Sequence, residues 1–236
     1  MSNVIIHPFQ SGQPQTPYAP FWDYVIACKQ IDLDVKELAR VILLEEKVII
    51  EKYSEGDEGH FKYRNESDGY TGLGKDSLTS RFSYYNLLSW DYPVVNDLFN
   101  AIKIFHNEYV QGTIGKYVKQ PSLSVRCWAN VMRKGQQIHK HAHSSHPHSY
   151  LSGHFCVQCK DTSTIYYGLY NDAEYPIENV NGQMTLFPTW TCHKTSRHVG
   201  DDERITIAFD ITPTVVRSGN ETSVATSHSD NLITLF

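Results

Sequence analysis

Long apolar runs are missing from this 236-residue chain. The longest, such as Val41-Ile42-Leu43-Leu44, fall far short of the roughly 18 residues needed to cross a bilayer, so no helical membrane anchor is expected. Charge is also scarce: 20% of the residues are Asp, Glu, Lys or Arg, below the roughly 25% usual in soluble domains. No run rich in Lys or Arg occurs. With Lys+Arg 21 against Asp+Glu 26 and a formal charge of −5, nucleic acid and anionic lipid are not expected partners. The five cysteines are an odd number and widely scattered, unlike a secreted disulfide framework. Met1-Ser2-Asn3 lacks the basic start of a signal peptide, so the sequons at Asn65 and Asn220 carry no weight and the expected location is cytoplasmic. What fills the charge deficit is tyrosine, 15 residues of it, in a chain that is 40% apolar. That composition and length suit one domain, residues 1–236, with a sizeable buried core.

Residues 1–115 read as mainly helical. Asp34 is placed to cap a helix running to Lys52, with Glu37 three residues on completing a capping box. A second helix is expected from Pro93, a residue favoured at the first helical position, to Gly112 as its C-terminal stop. Its apolar stripe is Val95, Leu98, Phe99, Ile102, Phe105 and Tyr109. Between the helices, residues 54–80 hold five of the 14 glycines and nine charges with no sustained period, the pattern of a long loop or lid. Residues 116–214 change to short β-branched and aromatic runs. In the last, Arg204 to Thr212, Ile205, Ile207, Phe209 and Ile211 share one face; Arg204, Thr206, Ala208 and Asp210 share the other. An apolar outside and a polar inside suit a small barrel that encloses a ligand. Residues 215–236 are expected to form a loose tail.

Histidine is concentrated where that barrel begins. Residues 139–148 read His-Lys-His-Ala-His-Ser-Ser-His-Pro-His, five of the chain's 12 histidines. A polar loop that holds transition metals loosely is one explanation. Spacing offers another: on an extended segment His141 and His143 face the same way and can converge on one ion. A third ligand must then come from a distant strand, and His193, after the run that starts at Gly182, is the candidate. Arg204 lies on the inward face of the next strand. A buried guanidinium facing a metal pocket calls for an anion, and its planar fork suits a carboxylate. Thr206 adds a hydroxyl on the same face.

These motifs, in this order, have a family likeness. Trp128-Ala129-Asn130, Gly135-Gln136, His141-x-His143, Leu151-Ser152-Gly153, Leu186-Phe187-Pro188, His193 and the strand opened by Arg204 resemble the iron(II)- and 2-oxoglutarate-dependent oxygenases. The likeness is to the subgroup related to prolyl hydroxylases, and it covers about residues 122–213. It implies an α+β fold: a double-stranded β-helix, the jelly-roll or cupin-like barrel, buttressed by N-terminal helices. It also implies Fe(II) held by His141, His143 and His193, with 2-oxoglutarate gripped by Arg204 and Thr206. The implied reaction is hydroxylation of a substrate, small molecule or protein, with release of succinate and CO2. In that subgroup the first ligand follows the Gly of the Gly-Gln pair by six residues, which selects His141 over His139.

Position 143 departs from the family, which carries Asp or Glu there. Three neutral imidazoles leave a divalent site at +2 rather than +1, and such a set also suits zinc or copper. His139 and His148 are further candidates for the inner coordination, and Asn130 for the pocket wall. Two other functions remain open: a three-His cupin-type dioxygenase that uses no 2-oxoglutarate, and a jelly-roll module that binds without catalysing. Weaker motifs point elsewhere. Gly69-x4-Gly74-Lys75 imitates a phosphate-binding loop, but Asp76 follows where Ser or Thr is needed. Cys156-x-x-Cys159 has zinc-ligand spacing, but no second pair exists and an unbroken strand would point the thiols to opposite faces.

Overall fold

Alternation decides the long strand that closes the barrel. In Arg204–Pro213, Ile205, Ile207, Phe209 and Ile211 are all fully buried in the main core. Arg204, Thr206, Ala208 and Asp210 turn the other way and line a cavity. Burying each of those four apolar side chains is worth about 1.5–3 kcal/mol. A one-residue slip would exchange the two faces, so the burial pins the register.

The computed structural model describes residues 4–9, 16–18, 23–53, 72–74, 76–114, 122–143, 149–168, 173–214 and 231–236. In chain order they form β1 (Val4–Phe9), β2 (Tyr24–Gln30), α1 (Val35–Lys52), α2 (Pro93–Thr113) and β3 (Leu123–Met132). Then come β4 (Leu151–Gln158), β5 (Ser163–Tyr167), β6 (Glu174–Glu178), β7 (Gln183–Pro188), β8 (His193–Thr195), β9 (Arg204–Pro213) and β10 (Ile233–Thr234). Two 3-10 turns, Thr79–Arg81 and Leu87–Ser89, lie between the helices.

The strands make two antiparallel sheets, one ordered β1-β2-β7-β4-β9-β3-β10 and one ordered β6-β5-β8. A bridge between His141 and His193 adds the segment at 141 to the free side of β8. Counted from β3, with the 141 segment second, the strands alternate between sheets except at the β5–β6 hairpin, which lies wholly in the small sheet. The large sheet takes the first, eighth, third and sixth, and the small sheet takes the second, seventh, fourth and fifth. That winding is the double-stranded β-helix, in which two sheets face each other across an interior. The outer face of the large sheet packs on α1 and α2, whose Leu38, Val41, Ile42, Leu98, Ile102 and Phe105 share its core. The inner face looks at the small sheet.

The N-terminal region differs from a mainly helical reading. β1 and β2 precede the first helix and extend the large sheet beyond β7. Asp34 does cap α1, accepting a hydrogen bond from the Glu37 backbone N–H at 3.0 Å. The Glu37 carboxylate instead pairs with Arg40 at 2.7 Å, leaving the capping box half made. Gly112 does not stop α2, which continues to Thr113 and is capped by Ile114. Within the expected tail, β10 pairs with β3, while residues 215–230 lie outside the described residues, as do 54–71 and 75 of the 54–80 loop.

β4 also breaks the parity argument made for its cysteines. Its pairing with β9 shifts register between Cys156 and Gln158. Beyond that shift the two thiols take separate partners: Cys156 Sγ donates to Asn179 Oδ1 at 3.7 Å and Cys159 Sγ to the Ile205 carbonyl at 3.5 Å. Both thiols are buried, and none of the five cysteines forms a disulfide among the described residues.

Candidate metal centre

Three imidazoles meet at one end of the interior. The backbones of His141 and His193 exchange hydrogen bonds of 2.9 and 2.8 Å, which sets the two side chains on the same face. The His143 backbone N–H donates to the Thr189 carbonyl at 3.1 Å, tying the next turn of chain to the end of β7. The ring centroids lie 4.4 Å apart for His141–His193 and 5.2 Å for the other two pairs. One ligand atom from each of the three lies within 4.8 Å of the others.

Each ring has its Nδ1 engaged from behind. His141 Nδ1 meets the His139 carbonyl at 2.7 Å, and His193 Nδ1 meets the Thr191 carbonyl at 2.9 Å. A carbonyl can only accept, so both nitrogens carry the proton and each Nε2 keeps its lone pair. His143 Nδ1 meets the Asp210 carboxylate at 2.5 Å. Ser152 Oγ donates to the same carboxylate oxygen at 2.6 Å. The three inward nitrogens are thus held in place by the chain itself, an arrangement that could receive a metal ion.

Burial, then the neighbouring His143, pulls His141 down to about 4. Burial likewise puts His193 well below the usual histidine range, with His141 and His143 adding to the effect. For His143 burial acts downward too, but the charge and hydrogen bond of Asp210 outweigh it and the net direction is up. Burial would raise Asp210; His143, Ser152 and Arg126 together hold it below the ordinary carboxylate value.

A cavity of about 280 Å3 opens from these rings between the two sheets. Arg204, 1% exposed, lies on its wall. Thr162 Oγ1 accepts from its Nε at 3.1 Å and Met132 Sδ accepts from its Nη1 at 3.1 Å. Among the described residues no carboxylate comes within ion-pair distance of this guanidinium. Thr206 lies on the same wall, with Asn130 across the β3–β9 pairing. The Asn130 Oδ1 accepts from Thr79 Oγ1 at 2.7 Å, which turns its amide N–H groups away from Thr79. His154 also lines the cavity, held down to about 3 by burial and then by the charge of Arg204. Trp128, Phe82, Ile138 and Phe187 supply apolar wall.

His141, His143, His193, Arg204 and Thr206 are therefore brought to one cavity. His139 gives its carbonyl rather than its ring. His146 and His148 lie outside the described residues. The contacts of Asp210 and Ser152 with His143 were not legible in the sequence. Asp210 was legible as an inward residue of β9, but nothing local marks it as the partner of a histidine 67 positions away.

No protein-family model matches this chain and no curated protein matches it in sequence. Solved structures resemble part of it. A prolyl-4-hydroxylase from Pseudomonas putida is 11% identical over 53% of this chain and 68% of its own, with a TM-score of 0.41. An oxidoreductase of the 2OG-Fe(II) oxygenase family from Burkholderia pseudomallei is 14% identical over 52% and 60%, with a TM-score of 0.42. A viral collagen prolyl hydroxylase from Paramecium bursaria Chlorella virus-1, in complex with 2OG, is 12% identical over 52% and 74%, with a TM-score of 0.40. At these values the likeness assigns neither a family nor an activity to this chain.

Proposed function

We propose that this protein is an iron(II)- and 2-oxoglutarate-dependent oxygenase whose reaction is hydroxylation of a substrate C–H bond. One cavity holds both features that support it: three inward imidazole nitrogens, and a buried guanidinium that no described carboxylate neutralises. A buried charge without a partner costs several kcal/mol, so Arg204 is built for an anion that arrives from outside. His141, His143 and His193 would hold the iron, a donor set on one face that leaves positions open. Iron bound there supplies oxygen activation, coupled to decarboxylation, so that substrate, O2 and 2-oxoglutarate give hydroxylated product, succinate and CO2.

The chain's own part is binding and orientation. Arg204 receives the far carboxylate of 2-oxoglutarate through its planar fork, and Thr206 offers it a hydroxyl. Thr162 and Met132 keep the guanidinium from swinging away. His154, neutral beside Arg204, adds no competing positive charge. The apolar wall of Trp128, Phe82 and Phe187 keeps water from the reacting groups.

The direct test is succinate formation from 2-oxoglutarate in air by Fe(II)-loaded protein, without added substrate. Slow release is expected. Arg204→Ala should weaken the dependence on 2-oxoglutarate roughly 10- to 100-fold, the value of a charge-assisted hydrogen-bonded pair. Release that ignores Arg204→Ala contradicts the proposal. No release, with oxygen still consumed on another substrate, supports the second reading. That reading is a three-His dioxygenase independent of 2-oxoglutarate, and the all-imidazole donor set favours it.

A further inference from the structure

We infer that Asp210 is a positioning residue that supplies, through His143, the negative charge its all-imidazole donor set lacks. The inference rests on the reading of the three histidines as a metal centre and goes beyond it to the source of the centre's charge. His141 and His193 lean on neutral main-chain carbonyls, at 2.7 and 2.9 Å. Among the described residues only His143 leans on a carboxylate, and the contact is shorter, 2.5 Å.

Asp210 is not there by accident of a loop. It stands on β9, inside the same run of inward residues as Arg204 and Thr206, directly opposite Arg126 of β3 in the strand register. Ser152, opposite Asp210 on β4, donates to the oxygen that His143 also uses. β9 and β4 thus hold one carboxylate against one ring, and the charge of Arg126 on β3 favours its ionised form. A carboxylate accepting the Nδ1 proton of an imidazole makes its Nε2 the stronger donor and fixes the ring plane. For a divalent ion, its three neutral rings and the carboxylate hydrogen-bonded to one of them, the count is +2 less one for Asp210, or +1, with the Arg126 guanidinium on the far side of Asp210 outside that set. A directly ligating carboxylate at position 143 would give the same total. The charge has been moved one hydrogen bond outward, where it occupies no coordination position.

Cobalt(II) provides the test, added anaerobically to the full chain and followed by its visible absorption against a competing chelator. Asp210→Asn keeps an oxygen for the His143 N–H and removes only the charge; it should weaken Co(II) binding about 10- to 100-fold. Ser152→Ala, which leaves the carboxylate in place, should weaken it less. A second measurement needs no variant. In the Zn(II)-loaded protein the Nδ1 proton of His143 should resonate downfield of those of His141 and His193, reporting the stronger hydrogen bond. Unchanged affinity in Asp210→Asn, or three alike proton shifts, overturns this inference and leaves the metal centre standing. Failure of the folded wild-type protein to bind Co(II) removes the metal centre and this inference together.

Discussion

At the scale of single residues, the centre is a set of buried imidazoles whose protonation is fixed by what surrounds them, and folding is therefore coupled to pH. His141 sits at about 4, His154 at about 3, and His193 well below the ordinary 6.5. Unfolded, all three take up protons near 6.5. Below that pH the unfolded chain binds more protons than the folded one, and stability falls as pH falls. His143 works in the opposite sense: its raised value contributes stability below 6.5 that is lost as pH rises through its folded value. Asp210, lowered from 3.8, contributes above that value and loses its contribution as pH drops through the folded one. Three groups outweigh one between pH 6.5 and 4. The metal-free protein should accordingly melt at lower temperature at pH 5 than at pH 7.5, by about 2–4 °C for each kcal/mol lost. A melting temperature that holds or rises on acidification contradicts the neutral buried rings. Among these residues the histidines and Arg204 were legible because their spacing and strand parity carry the signal. Asp210 and Ser152 were not, since their work depends on which strands lie side by side.

At the scale of elements, periodicity was legible where one face is buried and the other is not. β9 alternates cleanly, and α2 shows its stripe, so both are legible in the sequence. β1 and β2 did not. In β1, His7 and Pro8 interrupt the alternation. β2 carries a short apolar run, Tyr24 to Cys28, whose buried Ile26, Ala27 and Cys28 leave no polar face to show a period of two. The bulge in β4 escaped for a related reason, because an extra residue leaves no mark in composition. The same strand holds a position where only glycine fits. A Cβ at Gly153 would come 2.4 Å from the Phe209 ring and 2.6 Å from the Thr185 carbonyl. Gly153→Ala should cost about 1–3 kcal/mol by overpacking, read as a lower melting temperature. No change would mean that β4, β7 and β9 are less tightly apposed than the structure has them.

For the molecule as a whole, the core and the candidate site are divided between the two faces of one sheet. The outer face of the large sheet is closed by α1 and α2, and its inner face shares the cavity with the small sheet. A single strand such as β9 serves both, its isoleucines on one side and Arg204 to Asp210 on the other. The barrel was legible from that division, and from the order of motifs that resembled the 2-oxoglutarate oxygenases. The winding was not, because pairing β3 with β9 joins residues some 80 positions apart (Met132 with Arg204, Leu123 with Pro213) and no local pattern encodes it. No helix among the described residues is long and apolar enough to cross a membrane. The central claim, that three rings hold an iron whose cosubstrate is anchored by Arg204, is most directly measured without oxygen. Added to Fe(II)-loaded wild-type protein, 2-oxoglutarate should produce a weak visible metal-to-ligand charge-transfer band, and the same concentration should fail to do so in Arg204→Ala. Folded, iron-loaded wild-type protein that shows no such band at any concentration of 2-oxoglutarate would contradict it.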